Sequence, residues 1–321
     1  MHAITFNQPG DWQQNLYLTR QEIREPLPSE VQVKVMARPI NPADQMFING
    51  SYRLKPALPQ IAGLEGAGII RKVGENISKS LLGMHVSFLS AGTWAESINL
   101  QDGAFRIVPK QIPFETACQL SLNTLTAYGL LEGCGLLAGQ WLVLTAANSS
   151  ICRLIIQMAK LRKINILALV RGSQYASELL ALGATECLNI ENEGIEDRIM
   201  EITKVGASAI LDAVGGQLGS KLINVTAPFA KIIIYGVLSM DNVSFHNRAI
   251  VYKNLKIEGF GIRQWLNSKS ASELNEIWET ITTGITTKRL VVRFDSAFEL
   301  AAFKEAISHY QNTGEKTILV S

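Results

Sequence analysis

The chain has few cysteines and histidines, and neither type is spaced as in a metal site or a disulfide framework. The four cysteines and four histidines are Cys118, Cys134, Cys152, Cys187, His2, His85, His246 and His309. No two cysteines form a C-x-x-C pair, which disfavours a zinc ribbon and a disulfide-linked fold. Free thiols predict a reducing compartment: the cytoplasm or, if a transit peptide had been removed, the mitochondrial matrix.

An excess of one charge and a long apolar run are also missing. The formal net charge is +2, which gives no electrostatic reason to expect nucleic acid or a membrane as a partner. The longest apolar runs are strand-like and fall short of the ~20 residues that a membrane helix needs. Residues 1–10 show neither a signal peptide nor an Arg-rich transit segment. With 321 residues and 47% hydrophobic content, the chain can bury a large core, and two domains are expected.

What the chain does contain is a β-α-β pattern over residues 141–171. Residues 141–145 and 164–170 are apolar runs typical of buried strands, and small residues at 146–150 lead into a helix over about 151–161. Parallel pairing of two such strands requires the crossover helix between them. The turn supplies unpaired backbone N–H groups at the positive end of the helix dipole, which favours an anion.

The residues of this turn are predicted to contact a dinucleotide. They are Asn148, Ser149, Ser150, Ile151 and Cys152. A dinucleotide fingerprint has glycines here, and Ser149, Ser150 and Cys152, which are all small, take their places. Serine is also a good helix N-cap, so the same pattern fits a β-α-β unit that binds nothing and is merely capped.

The end of the second strand indicates which coenzyme would bind. A carboxylate there would accept hydrogen bonds from a free 2′-hydroxyl of the adenosine ribose, whereas a guanidinium suits a 2′-phosphate. This position holds Arg171, with no acid beside it. The sequence therefore predicts a site that prefers NADPH.

The rest of the chain divides into a strand-rich part and an alternating part. Up to about residue 110, Gly, Pro and short alternating runs predict a distorted barrel. After Pro113 helices and strands alternate, a pattern typical of a doubly wound parallel sheet. Further strands are expected at 186–190, 209–214, 231–238, 255–261, 291–294 and 316–320, and helices at 175–182, 195–203, 218–226, 271–282 and 301–310. The fold class is α/β, with a β-rich substrate domain at 1–115 and 263–321 and a dinucleotide-binding domain at 116–262.

Three predicted strand ends add candidates for the cofactor site, because ligands of open α/β sheets bind at the carboxyl ends of the strands. The candidates are Val214, Gly215, Tyr235, Gly236 and Phe260. Gly215 and the adjacent Gly216 would let a dinucleotide pass close to the backbone, and they fit equally well a tight turn before a helix.

Three short motifs lie in the first half of the chain. They are Asn41-Pro-Ala-Asp44 with Gly50-Ser-Tyr52, Gly63-Leu-Glu-Gly-Ala-Gly68, and Asn123-Thr-Leu-Thr-Ala-Tyr128. Together with the turn, they resemble the medium-chain dehydrogenase/reductase superfamily, most of all its zinc-free 2-enoyl thioester reductases, which act on enoyl-CoA or enoyl-carrier-protein. The resemblance covers nearly the whole chain. It implies a GroES-like β-rich catalytic domain beside a Rossmann-type sheet, and a homodimer that acts on a small molecule.

The resemblance also implies that no metal is bound. Zinc alcohol dehydrogenases carry G-H-E in the glycine-rich turn, whereas Leu64 stands here in place of the histidine ligand and cannot coordinate zinc. The ligand cysteine expected near Asn41 and the four-cysteine structural loop are absent too. The neighbouring Glu65 is either a catalytic group or one half of a buried structural salt bridge.

In these reductases, hydride passes from NADPH to the β-carbon of an unsaturated thioester, and charge collects on the carbonyl oxygen. By resemblance, Tyr52 donates a hydrogen bond to that oxygen and can supply the proton for the α-carbon. Asn123 and Thr126 are further catalytic residues that lie near the nicotinamide, and Asn41 also binds the cofactor. Asn123 and Thr126 are one helical turn apart and can face the same way. Considered without the resemblance, Tyr52 fits a tyrosine of a surface loop.

Two other functions fit the same residues. A quinone or alkenal reductase of the superfamily would share the zinc-free site, and Gly261, which stands where the thioester reductases often carry a tryptophan, leaves the substrate open. A nucleotide-binding protein without catalysis would fit the serine-rich turn. A homodimer is expected through the apolar outer strand at 255–261.

Overall fold

The computed structural model describes residues 1–192 and 194–321, and the chain forms two compact units. The first unit consists of Met1–Asn123 and Thr282–Ser321, and the second of Thr124–Ile281. Both divisions fall later in the chain than the predicted domain limits at 115/116 and 262/263, which stay a sequence-based prediction.

The secondary structure begins with strand-rich segments and then alternates. The strands are β1 (His2–Phe6), β2 (Tyr17–Arg20), β3 (Glu30–Pro39), β4 (Gln60–Ile61), β5 (Glu65–Val73), β6 (His85–Leu89), β7 (Ser97–Gln101), β8 (Phe105–Ile107), β9 (Trp141–Leu144), β10 (Asn165–Val170), β11 (Glu186–Asn189), β12 (Ala207–Asp212), β13 (Thr226–Ile234), β14 (Lys256–Gly259), β15 (Ser296–Glu299) and β16 (Thr317–Val320). The helices are α1 (Trp12–Asn15), α2 (Pro42–Ile48), α3 (Phe114–Ala117), α4 (Leu125–Cys134), α5 (Ser150–Leu161), α6 (Ala176–Leu182), α7 (Ile195–Thr203), α8 (Gly216–Leu222), α9 (Asn247–Lys253), α10 (Ile262–Asn267), α11 (Ala271–Thr286) and α12 (Phe303–Thr313). Among the helices described, none is long and apolar enough to cross a membrane.

A seven-stranded sheet is the frame of the first unit. Its strands lie in the order β15-β16-β3-β5-β6-β8, and β7 also pairs with β3. A separate three-stranded sheet has the order β2-β1-β4. Alternate residues of β3, namely Val31, Val33 and Val35, are buried in a hydrophobic core cluster with Phe88 of β6, because successive strand side chains point to opposite faces. The prediction of a β-rich, GroES-like part is confirmed.

The tail of the chain completes this sheet. β16 lies between β15, to which it is parallel, and β3, to which it is antiparallel. The strand expected at 291–294 is wrong: the paired segment is β15, whose Ser296 is in register with Thr317. Arg38 of β3 is fully buried, and its guanidinium donates to the Ala95 carbonyl oxygen (2.6 Å) and the Ser321 hydroxyl (2.8 Å). These bonds tie β3 to the segments next to β7 and β16, which pair with the same edge of β3.

The second unit contains a six-stranded sheet in the order β11-β10-β9-β12-β13-β14. All five strand pairs are parallel, which confirms the doubly wound sheet predicted from the alternating pattern. Helix α5 connects β9 to β10, and β14 is an outer strand, as expected. The carboxyl ends of β9, β12 and β13 lie side by side, which brings their following loops to one edge of the sheet.

Candidate functional site

The turn between β9 and α5 is built around a serine cap. Ser149 has an extended backbone, and its hydroxyl accepts a hydrogen bond from the Cys152 N–H at 3.4 Å, which makes it the N-cap of α5. Ala146 turns the chain with a φ of 47°. The other predicted members of the turn are half-buried: Asn148, Ser150 and Ile151. The first N–H groups of this 12-residue helix have no intrahelical acceptor, so the turn is able to bind a phosphate.

Cys152 and Tyr235 meet beside this turn. The Cys152 thiol lies 3.2 Å from the Tyr235 hydroxyl and donates to the Thr145 carbonyl oxygen at 3.5 Å. Burial raises the pKa of the Cys152 thiol, and it raises the pKa of Tyr235 well above its usual value. Both groups are therefore protonated at neutral pH. Cys152 fills buried space with its side chain, so the predicted cofactor contact would have to use its backbone.

A buried carboxylate shapes the loop after β12. Asp212 Oδ1 accepts hydrogen bonds from the Thr145 hydroxyl (2.9 Å), the Val214 N–H (2.9 Å) and the Gly215 N–H (3.0 Å). The Thr145 hydroxyl in turn accepts from the Ala213 N–H at 2.8 Å. These bonds hold the loop that carries Val214 and Gly215 next to the end of β9, and thus next to the serine-capped turn.

The glycines at the strand ends are required by the backbone itself. Gly215 and Gly216 have φ of +74° and +58°, a region that favours glycine. A Cβ on Gly236 would lie 2.6 Å from the Ala213 carbonyl oxygen. The tight-turn interpretation of Gly215 and Gly216 is thereby supported, and their contact with a cofactor stays a prediction.

Arg171 directly follows β10 and is exposed. Within the part of the chain that the structure describes, no hydrogen bond or ion pair joins its side chain to another residue. A guanidinium at the end of the strand next to β9, with no protein partner, is able to bind an anion such as a 2′-phosphate.

Phe260 and Trp265 pack against α4. Their ring centroids are 6.5 Å apart, and a Cβ on Gly129 would meet both rings at under 3.0 Å. The Trp265 indole N–H donates to Glu132 Oε2 at 2.9 Å, and Lys269 pairs with the same carboxylate at 2.8 Å. These contacts make Trp265 part of the packing against α4.

In the first unit, the Asn41-Pro-Ala-Asp44 motif begins α2. Asn41 is the N-cap, and its backbone N–H donates to Asp44 Oδ2 at 2.8 Å, with Pro42 in the first helical turn. Tyr52 follows this helix, held by a bond from its N–H to the Met46 carbonyl oxygen (2.9 Å), and its ring packs on a hydrophobic core cluster. The Tyr52 hydroxyl has no hydrogen-bond partner among the described residues, so it is able to donate to a ligand.

A buried polar cluster lies behind the motif. Its members are Asn41, Asp44, Glu65, Asn123 and Lys316. Asn41 Oδ1 accepts from Lys316 Nζ at 2.5 Å and from Asn123 Nδ2 at 3.1 Å, and Asn41 Nδ2 donates to Glu65 Oε2 at 3.3 Å. Glu65 Oε1 also accepts from the Leu122 N–H at 2.6 Å. The structure thus brings together Asn41 and Asn123, two of the residues predicted to bind the cofactor.

Burial controls the charges of this cluster. It raises the pKa of Glu65 to about 8 and that of Asp44 to about 7, and it lowers the pKa of Lys316. Among the described residues, Glu65 makes no direct ion pair; its bonded partners are an amide and a backbone N–H, and Lys316 reaches it through Asn41. Glu65 is therefore buried, as the salt-bridge interpretation requires, but the Asn41 amide lies between its carboxyl group and the Lys316 ammonium, so the two make no direct salt bridge.

Sequence reasoning missed Lys316. The residue precedes a strand of buried apolar residues, Thr317–Val320, and a lone lysine at the start of such a strand is ordinarily a solvated end. Only its burial sets Lys316 apart from such a lysine, and burial cannot be read from the sequence. Lys316 is 8% exposed, a rare state for a lysine.

Asn123 lies in a π-helical turn, Leu120–Thr124, that leads into α4. Such wide turns often occur at functional sites. Thr126 is buried in the first turn of α4, in the second unit. Because the chain is not regular α-helix at Asn123, the expectation that Asn123 and Thr126 face the same way stays a prediction.

Two family models match consecutive parts of the chain. An alcohol dehydrogenase GroES-like domain matches residues 27–153, and a zinc-binding dehydrogenase domain matches residues 151–283. Within residues 1–192 and 194–321, no group of three or more His, Cys, Asp or Glu is placed to hold a metal ion.

Individual relatives cover nearly the full chain. It is 30% identical over 289 residues to a mitochondrial enoyl-[acyl-carrier-protein] reductase from Xenopus tropicalis, covering 87% of this chain and 82% of that protein. The corresponding Mus musculus reductase is 28% identical over 315 residues, covering 96% of this chain and 84% of that protein. The crystal structure of a provisionally assigned NADPH:quinone reductase from Bacillus thuringiensis is 28% identical with a TM-score of 0.94, covering 100% of this chain and 98% of that chain.

The chain therefore belongs to the medium-chain dehydrogenase/reductase superfamily, within it to the family of the mitochondrial enoyl-[acyl-carrier-protein] reductases. It is an oxidoreductase, and the predicted combination of a GroES-like part with a Rossmann-type sheet is confirmed.

Proposed function

We propose that this protein reduces the C=C bond of a 2-enoyl thioester with NADPH. The observation that carries the proposal is the Tyr52 hydroxyl, which has no hydrogen-bond partner among the described residues although its ring is packed on a core cluster. Within the second unit, the anion-binding turn before α5 and the exposed Arg171 support the coenzyme. The names of the enoyl-[acyl-carrier-protein] reductases from frog and mouse support the thioester as substrate. The name of the Bacillus thuringiensis structure supports NADPH.

The residues at the edge of the parallel sheet fit a dinucleotide. The first N–H groups of α5, capped by Ser149, would hold the pyrophosphate, and Arg171 would hold the 2′-phosphate. Gly236 leaves the space that a Cβ would fill beside Ala213, so a ligand can pass close to the backbone there. Asn41, Asn123 and Thr126 would bind the nicotinamide end. When bound, the coenzyme supplies a hydride to the β-carbon of the substrate.

The protein's own contribution to the chemistry is at the thioester carbonyl. Negative charge develops on that oxygen as the β-carbon gains the hydride, and a donor aimed at it stabilises the transition state. The Tyr52 hydroxyl would donate this hydrogen bond and then transfer its proton to the α-carbon, which completes the saturated thioester, and water would reprotonate the phenolate. Tyr52 is suited to this because its ring is fixed by packing while its hydroxyl is unpartnered.

A comparison of two electrophiles tests the proposal. We expect crotonyl-CoA to oxidise NADPH under the enzyme's action much faster than a small quinone does, with butyryl-CoA as the product. A higher rate with the quinone would assign the second candidate, a quinone or alkenal reductase, which the Bacillus thuringiensis relative's name favours. Calorimetric binding of NADPH without consumption by either compound would assign the non-catalytic alternative, and no binding at all would reject every form of the proposal.

The assembly and the cellular location are also part of the proposal. β14 is an outer strand of the parallel sheet, and Val251 and Tyr252 on the preceding helix α9 are exposed, so a homodimer through this edge is proposed, to be checked by sedimentation. All four cysteines are free, which supports a reducing compartment, the cytoplasm or the mitochondrial matrix, as cell fractionation would decide.

A further inference from the structure

Lys316 is a buried cation whose bonds all lead to the motif at the start of α2. Its ammonium donates to Asn41 Oδ1 at 2.5 Å and to the Ile40 carbonyl oxygen at 3.3 Å. Among the described residues no carboxylate pairs with it directly, although Glu65 and Asp44 both act on it electrostatically. A buried lysine that served only as a counter-charge would be expected against a carboxylate. This one is placed against an amide.

The bonds of Lys316 fix which way the Asn41 amide faces. A lysine ammonium can only donate, so the Asn41 atom that it touches must be the oxygen. The Asn41 nitrogen then points to Glu65, which accepts at 3.3 Å. Since the Asn41 oxygen is also 3.1 Å from the Asn123 amide, Asn123 must turn its NH₂ toward Asn41. This leaves Asn123 Oδ1 as an acceptor that no described residue uses.

We propose that Lys316 is a positioning residue that acts through Asn41 to present the Asn123 side-chain oxygen to the carboxamide NH₂ of the nicotinamide. This inference rests on the proposed NADPH function, and it adds the reason for the orientation of Asn123. Without Lys316, Asn41 and Asn123 can exchange the positions of their oxygen and nitrogen atoms. Asn123 would then offer a donor where the carboxamide also offers one.

The other groups of the cluster favour the same arrangement. Glu65 accepts from the Leu122 N–H and from Asn41, so both of its oxygens are bonded. Asp44 accepts from the Asn41 N–H, and its Oδ1 has no partner in the described chain. Cys118 is the remaining titratable group whose charge acts on Lys316, and burial raises the pKa of its thiol well above the usual value, which keeps it neutral. Lys316 is thus the only cationic side chain among the five residues of the buried polar cluster.

The test compares a full coenzyme with a fragment that lacks nicotinamide. Lys316→Met and Lys316→Gln, a neutral side chain one bond shorter, are measured in parallel, with Lys79→Met as the control because Lys79 is an exposed lysine of the same unit. We expect both Lys316 variants to raise the Kd for NADPH about tenfold, which corresponds to about 1.4 kcal/mol. We expect the Kd for adenosine 2′,5′-bisphosphate to change less than about twofold, because that ligand ends at the phosphates and does not reach Asn123.

The same measurements separate this inference from the proposed function. If the wild-type protein binds neither ligand, the NADPH function fails. If it binds both and the Lys316 variants lose affinity for both equally, or for neither, then Lys316 does not position Asn123 and the inference is overturned. Unfolding of both variants at 25 °C would also overturn it, by making Lys316 a purely structural residue. Adding Asn123→Ala to Lys316→Met should cause no further loss of NADPH affinity, since both changes remove the same contact.

Discussion

The Tyr52 side chain combines a fixed ring with a hydroxyl that has no partner among the described residues. The ring packs on the core cluster that contains Phe47 of α2, and the backbone N–H is bonded to Met46. Holding a donor in place before the substrate arrives removes the cost of reorganisation during the reaction. At the scale of single residues, this is the feature on which the proposed chemistry depends most directly.

Tyr52→Phe should reduce turnover of crotonyl-CoA by two to three orders of magnitude. The change removes one donor to the developing oxyanion, an effect of about 3–4 kcal/mol, and keeps the ring that packs on the core. The Kd for NADPH and the melting temperature serve as controls and should stay near wild type. A variant that retains near-normal turnover would remove Tyr52 from the mechanism.

Arg171→Ala should weaken NADPH binding while leaving NADH binding nearly unchanged. The exposed guanidinium has no partner within the described chain, so its loss affects little besides an anion bound to it. A charge-assisted hydrogen bond contributes about 1.5–3 kcal/mol, which is a roughly ten- to hundredfold change in Kd. NADH, which lacks the 2′-phosphate, is the internal control. Equal weakening of both coenzymes would contradict the assignment.

Individual residues could be predicted where a local pattern identifies them. A serine of the turn, Ser149 or Ser150, was expected as a cap because serine before an apolar helix is a recognised start signal, and Ser149 is the cap. Glu65 was expected to be buried, but its bonds to an amide and to a backbone N–H could not be foreseen. The contact between Lys316 and Asn41 joins residues 275 positions apart, and no periodicity in a single sequence reports such a pair.

At the scale of elements, the strand–turn–helix of residues 141–161 was predicted almost to the residue. Its strand is buried and its helix has a strongly apolar face, so local pattern and final environment agree. The short helices α9 and α10 were not expected. Both have fewer than eight residues, and helices of this length are stabilised by tertiary contacts such as Trp265 against α4 rather than by their own sequence.

The loop after β13 provides an element-scale prediction. Gly236→Ala should lower the free energy of unfolding by about 1–3 kcal/mol, because the new Cβ would lie 2.6 Å from the Ala213 carbonyl oxygen and must displace backbone. Gly259→Ala is the matched control: it lies at the end of the neighbouring strand β14, and its Cβ would meet nothing closer than 4.0 Å. Urea denaturation of the two variants measures the difference. Similar losses in both would show that the close contact relaxes freely.

At the scale of the whole molecule, the alternation of strands and helices was enough to predict a doubly wound sheet, because each β-α-β connection has one favoured hand. The sequence did not show where the two units divide. The division falls inside continuous helical segments, between Asn123 and Thr124 and between Ile281 and Thr282, without the Gly- or Pro-rich linker that marks a boundary in composition.

The buried carboxyl groups make the stability of the molecule depend on pH. Burial raises the pKa of Asp44 to about 7 from 3.8 and that of Glu65 to about 8 from 4.5. Between the two values of each group, the folded state holds a proton that the unfolded state has released. The contribution of these two groups to stability is therefore fully present below about pH 4, and it falls as the pH rises toward 7 to 8, by up to about 1.4 kcal/mol per pH unit for each group.

Glu65→Gln should make the free energy of unfolding less dependent on pH, by the slope that the release of about one proton contributes. Urea denaturation of wild type and variant at pH 5 and pH 7 measures this change. His85, whose pKa is lowered, contributes a slope of opposite sign below pH 6.5. That contribution is the same in both proteins, so it drops out of the difference between them. Glu30, with its pKa lowered to about 2 chiefly by its hydrogen bond to Arg24, acts only at more acidic pH. Identical slopes in the two proteins would mean that Glu65 is ionised when buried.

The position of β16 has a consequence for how this polypeptide is made. The Arg38 guanidinium reaches the Leu319 carbonyl oxygen across 281 positions of chain, so β3 leaves the ribosome long before the strand that flanks it. During translation the edge of β3 stays open and the Arg38 charge stays hydrated, while the intervening Rossmann-type unit has its own complete set of strands and can fold first. In the GroES-like unit, β3 therefore waits for β16 until the end of the chain has been synthesised.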